Sequence, residues 1–289
     1  MITTTNKSIA FLALTFTFSW GVAIGGWALG FHNNPGAAIF TLAATMFGPA
    51  LAALVCAFVF EKNRRVEALG LRFKPNLWWL IAWLIPLALA AASVALTVLL
   101  SDREFADIGA QAIETVRAQS PQAADELRNV PHLGLVLVAA SVFLGPLFNA
   151  LLLTFSEELG WRGYLHHLWR PAGFWRASLA TGAIWGVWHA PAILLFGHNY
   201  PDNREIGAVI FVLFCMLLAP IMTLVRDRGG SVWAAGILHG TINAVAGLTI
   251  LAIDNPAFPW TGIVGIGGYV ALAIGITVIA LIQRSTLDK

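Results

Sequence analysis

Long apolar runs alternate along the chain with short polar breaks. In order, the runs fall at about 9–30, 38–60, 77–100, 133–155, 177–196, 207–225, 231–252 and 262–282. A helix of about twenty residues, rising 1.5 Å per residue, covers a hydrocarbon core of ~30 Å. The pattern therefore predicts an all-α bundle of eight transmembrane helices, with residues 1–289 forming a single membrane-embedded domain. The first run continues from Ile9 to about Phe31. That exceeds the roughly 7–15 apolar residues of a signal-peptide core, so it reads as a retained helix. The fourth run is interrupted by Pro146 and continues as an amphipathic stretch to about Trp169.

Two polar breaks have character of their own. Residues 101–131 carry Asp102, Glu104, Asp107, Glu114, Asp125 and Glu126. Within them "SPQAADEL" predicts a helix with Ser120 as N-cap and Pro121 at the first helical position. One or two short amphipathic helices are expected there. The break 61–76, "EKNRRVEALGLRFKPN", is basic and suits anionic headgroups, serving first as an orientation anchor.

Composition narrows the class. The chain is 58% hydrophobic and 11% charged, against roughly 25% charged residues in soluble domains. A net charge of +2 without a dense basic cluster excludes a nucleic-acid footprint. Cys56 and Cys215 both lie in apolar runs, where a thiol acts as a small hydrophobe, and they form neither a disulfide framework nor a metal knuckle. With a cytoplasmic N-terminus, the cytoplasmic breaks hold Lys7, Lys62, Arg64, Arg65, Arg72, Lys74, Arg162, Arg170, Arg176, Arg226, Arg228, Arg284 and Lys289. The opposite side holds Arg103, Arg117, Arg128 and Arg204. The positive-inside rule then places both termini in the cytoplasm.

Against this apolar background, charge inside a run costs about 2.5–3.5 kcal/mol on insertion scales and usually marks function. Glu157, Glu158 and Arg162 end the fourth run, His189 sits inside "AIWGVWHAPAILLF", and His239 and Asn243 sit inside "AAGILHGTINAVAG". Glu158 and Arg162 are four apart and share a helical face, as do His239 and Asn243. The first spacing is also that of an ordinary solvated helix-surface pair. Glu157 points about 100° from Glu158, so the carboxylates divide: Arg162 neutralises Glu158, and Glu157 faces elsewhere. A carboxylate kept in an apolar cavity needs donors, and one so placed is a candidate general base. The cytoplasmic halves of the spans bring His189 and His239 toward it. Trp78, Trp79, Trp175 and Trp260 read as interfacial anchors.

"EELGWR" fits an EExxxR motif, "WGVWH" an aromatic-xxx-His motif and "HGTIN" an HxxxN motif, in that order. In this the chain resembles the CAAX prenyl protease and bacteriocin-processing family of intramembrane endopeptidases, the type II CAAX proteases, over about residues 133–250. The resemblance implies a helical bundle with a conical cavity open to the cytosol and laterally to lipid. The implied reaction is hydrolysis of a peptide bond in a protein or peptide substrate, either a CAAX-type prenylated C-terminus or a peptide or bacteriocin precursor. Glu157 would activate water with His189 assisting, and His239 and Asn243 would stabilise the oxyanion. Glu158 and Arg162 would shape the site, the arginine also offering a fork to a substrate carboxylate. Trp185 stands where the family more often has Phe, an exchange of one apolar aromatic for another.

Glu157, His189 and His239 are also a possible zinc set. The chain has no HExxH helix, and every catalytic role already has a protein group, so the expectation is a glutamate-type mechanism with no metal and no cofactor. Two other classes compete. One is a non-catalytic scaffold or immunity protein on the same fold. The other is a proton-coupled transporter using Glu and His as a relay, which calls for Gly/Pro-broken helices in corresponding halves. Short loops and the lack of an organellar presequence point to a bacterial inner membrane.

Overall fold

The computed structural model describes residues 3–287. Helices α1 (Thr4–Ala28), α2 (Pro35–Phe60) and α3 (Leu77–Leu100) come first. Two short helices follow, α4 (Ile108–Arg117) and α5 (Pro121–Arg128). Then come α6 (Leu133–Ala172), α7 (Phe174–Phe196), α8 (Arg204–Gly229), α9 (Val232–Leu251) and α10 (Ile266–Leu287). Among the described residues there is no strand, only an isolated bridge between Phe105 and Ile253. Among the described residues seven helices, α1–α3 and α6–α9, are long and apolar enough to cross a membrane, and the protein is a multi-pass membrane protein. The eighth expected span corresponds to α10, whose apolar part, Ile266–Leu281, is shorter than the other seven. Lys289, which contributes to the charge bias, lies outside the described residues.

The polar break 101–131 folds as its residues dictate. Asp107 caps α4 by accepting from the Ala110 N–H at 2.7 Å, and Ser120 caps α5 by accepting from the Ala123 N–H at 3.4 Å. Pro121 follows at the first turn, where its missing N–H is not needed. Pro146, by contrast, does not end the fourth run. A proline removes the donor for the carbonyl four residues earlier, here Val142. The Trp83 indole N–H donates to that carbonyl at 2.9 Å, and the surrounding turn, Ala140–Leu144, is wound as a π-helix.

The chain forms two compact units. One comprises the residues up to Ile81 together with Leu151–Gly236. In it α7 lies against α8 at glycine contacts: a Cβ on Gly186 would come 2.5 Å from the Val212 Cα. Such small-residue seams let membrane helices approach closely. Phe11 of α1 packs edge-on to Trp161 at 5.8 Å, and Ser19 donates to the Thr45 carbonyl at 2.8 Å. Trp79 donates to the Gly229 carbonyl at 3.2 Å, so this expected interfacial anchor also ties two segments together.

The other unit comprises Ala82–Ala150 with the residues from Ile237 onward. There a Cβ on Gly240 would meet the Ala150 backbone nitrogen at 2.4 Å, and one on Gly267 would meet the Ser93 carbonyl at 2.4 Å. The Ser93 hydroxyl donates to the Gly262 carbonyl at 3.3 Å.

Candidate active site

The twelve residues Thr154–Leu165, "TFSEELGWRGYL", are wound as a π-helix within α6. Their bonds run from i to i+5, a winding rare in proteins and frequent at functional sites. Gly160 lets this wide turn close against α2, since a Cβ there would lie 2.5 Å from the Pro49 Cβ and 2.7 Å from the Pro49 carbonyl oxygen. All the residues from Ser156 to Leu165 are buried.

The two adjacent glutamates take different partners. Arg162 Nη1 donates to Glu158 Oε1 at 3.1 Å, with side-chain exposures of 1% and 0%. The spacing of a solvated surface pair is thus that of an interior one. Glu157 accepts at Oε2 from the indole N–H of Trp185 at 2.9 Å. The guanidinium of Arg162 lies over that same indole, 4.4 Å from the ring centroid, in cation–π geometry. Its Nε and Nη2 have no hydrogen-bond partner among the described residues. Glu158, Arg162, Trp185 and Glu157 therefore form one chain of contacts. Trp185 corrects the sequence reading: it is more than an apolar aromatic stand-in for Phe, because its N–H reaches the candidate base. A donor at the aromatic position of the aromatic-xxx-His motif is visible in the sequence, but its direction depends on how α6 and α7 pack.

His189 stands where α7 breaks between Phe174–Trp188 and Ala190–Phe196, with Pro191 just beyond. Its Nδ1 donates to the Trp185 carbonyl at 2.8 Å. A carbonyl can only accept, so the Nδ1 proton is fixed and the lone pair of the neutral ring is on Nε2. The ring is wedged between Trp188 and Phe211, at 4.7 and 4.8 Å between centroids. Glu157, Glu158, Arg162 and His189 thus meet around Trp185.

His239 and Asn243 lie four residues apart on α9, in the part belonging to the second unit; His239 is buried and Asn243 exposed. Among the described residues no three His, Cys, Asp or Glu side chains are grouped as an ion-binding set.

A second polar cluster supports the first from behind. Arg226 Nε donates to the Arg162 carbonyl at 2.8 Å, His166 Nε2 donates to Asp227 Oδ1 at 2.9 Å, and Arg170 approaches the same oxygen at 3.8 Å. Sequence reading counted Arg226 only as an orientation charge at a helix end and did not single out Asp227. Among the remaining histidines, His198 lies between α7 and α8, where burial pushes its imidazole below the ordinary histidine range.

Residues 136–245 match the family model described as type II CAAX prenyl endopeptidase Rce1-like. Over these residues the chain is similar to the type II CAAX proteases. The Rce1-like segment runs from Val136 in α6 to Val245 in α9 and includes all three motifs. The likeness supports, at family level, a CAAX-type intramembrane protease acting on a protein or peptide substrate in a lipid environment. No curated protein matches the chain.

Proposed function

We propose that Glu157 is the general base of a glutamate-type intramembrane endopeptidase. The observation that carries this reading is the division of two buried carboxylates. Glu158 takes the guanidinium of Arg162, whereas Glu157 takes a neutral donor, the Trp185 indole. The charge of Glu158 is committed to Arg162, and Glu157 is the carboxylate that reaches the motif-bearing helix α7 through Trp185. In this reading Glu157 removes a proton from water as the water oxygen attacks the peptide carbonyl carbon, and that proton then passes to the departing amine nitrogen. His189, its Nδ1 proton already committed, assists through Nε2. His239 and Asn243 are assigned by motif to donate hydrogen bonds to the oxyanion. Each role is filled by a side chain, so the proposed mechanism needs no metal and no cofactor.

The proposed substrates are a CAAX-type prenylated C-terminus or a peptide or bacteriocin precursor, presented from the cytosol. The proposed setting is a bacterial inner membrane with both chain termini cytoplasmic, as the distribution of Lys and Arg supports. The test is cleavage of lipidated and unlipidated peptides by wild type and Glu157→Gln in nanodiscs. The variant should insert and fold while losing roughly 10²–10⁴-fold in rate, the contribution of a general base. Wild-type turnover by a folded Glu157→Gln protein overturns the assignment, and Glu157-dependent solute flux in proteoliposomes replaces it with a transporter. Activity should survive chelator; loss that is restored by added metal overturns the metal-free form.

A further inference from the structure

We propose that Trp185 is a positioning residue: its indole N–H fixes the carboxylate of Glu157 in the orientation from which it takes the proton of water. The inference rests on the role given to Glu157 above.

The geometry separates this role from space filling. Trp185 and Glu157 are 2% and 3% exposed. A buried indole needs an acceptor for its one N–H, and the acceptor here is a carboxylate oxygen at 2.9 Å. With the carboxylate ionised, that bond is of the charge-assisted kind, about twice as strong as a neutral one. The ring is held on its face as well, by Arg162 at 4.4 Å. Arg162 is itself tied to Glu158, and its carbonyl accepts from Arg226. The backbone beneath the ring is pinned by Gly186 against Val212. A ring held on a face, at its N–H edge and through its backbone has little freedom to swing, so the carboxylate it holds inherits that order. Pre-set orientation of a reacting group is a large part of what an active site contributes to rate.

The conservative variant Trp185→Phe keeps an aromatic face and removes the N–H. A second replacement, 3-benzothienylalanine introduced at position 185 by nonsense suppression, keeps the bicyclic ring under Arg162 and lacks only the N–H. Both are compared with wild type in the nanodisc peptide assay. A hydrogen bond to a charged group accounts for roughly tenfold to hundredfold in rate. The expected result is a fall of that size in kcat with KM within about twofold, because the lost interaction orients the base and does not hold substrate.

Wild-type kcat in either folded variant overturns the proposal, as does a rise in KM that accounts for the whole loss of kcat/KM. If Trp185→Phe does not fold, the benzothienyl protein decides alone, since its shape is that of tryptophan. Glu157-dependent cleavage by wild type together with an unimpaired position-185 variant removes this inference and leaves the proposed function standing. Absence of Glu157-dependent cleavage in wild type removes both.

Discussion

Two short-range ion pairs with similar sequence spacing lie in contrasting surroundings. Arg64 and Glu67 meet at 2.6 Å with side chains 63% and 42% exposed, whereas Arg162 and Glu158 meet at 3.1 Å with 1% and 0% exposed. In water, Coulomb attraction is offset by side-chain entropy and screened by salt, and such a pair contributes little to stability. In the interior, desolvating both charges is so costly that each becomes indispensable to the other. The first pair is incidental to the fold. The second supports an indole that in turn touches the candidate base. Spacing along the sequence describes both and distinguishes neither.

The sharpest way to break the comparison is to remove one partner from the interior pair. Glu158→Ala or Arg162→Ala should cost about 3–5 kcal/mol, since each strands a buried charge, and thermal unfolding in detergent followed by size-exclusion chromatography measures it. Replacing both, as Glu158→Leu with Arg162→Met, should recover most of that stability while activity stays impaired. A smaller effect tests what lets the interior pair be interior. Gly160→Ala pushes a Cβ into Pro49 and should cost about 1–3 kcal/mol, the range of overpacking. Smaller again is Lys7→Ala, which removes the 2.6 Å bond to Glu61 between groups 20% and 11% exposed. About 1 kcal/mol is expected in the same assay, the upper end for such pairs.

The smallest effect belongs to the exposed pair. Arg64→Ala should leave the unfolding midpoint unchanged. The hydrogen bond from Arg64 holds the Glu67 carboxyl below its ordinary range. A carboxyl depressed in the folded state adds stability above its unfolded pKa and loses it as pH falls through the folded one. Whatever this pair contributes is therefore present at neutral pH and lost on acidification. Titration of Glu67 by NMR should show its pKa rising in Arg64→Ala.

Much of the architecture was legible because membrane spans are written in long apolar runs. The run 77–100 matches α3 from Leu77 to Leu100, and Ser120 caps α5 as its spacing implies. Less legible were departures from regular winding. Nothing in a hydropathy pattern says that Pro146 will leave α6 continuous, because the outcome depends on Trp83, 63 residues before it, reaching the Val142 carbonyl. Likewise the π-winding at Thr154–Leu165 replaces the α-helical angle from which the two glutamates were expected to diverge. They do take separate partners, but the partner of Glu157 is set by the packing of α6 against α7. The three motifs named the candidate residues, and the tryptophan among them carried a donor whose target only the fold supplies.

The break in α7 has a consequence for insulation from lipid. Within a bilayer every backbone polar group must find a partner inside the protein, and at this break the His189 backbone N–H, the regular α-helical donor to the Trp185 carbonyl, turns to the Gly186 carbonyl at 3.1 Å. At that interruption the His189 ring lends a side-chain proton to the Trp185 carbonyl. One nitrogen of the histidine thus serves the backbone, while the other is the one proposed to assist Glu157. His189→Ala would remove both at once. His189→Asn, with an amide N–H of similar reach and no basic nitrogen, should keep the helix sealed and still be inactive.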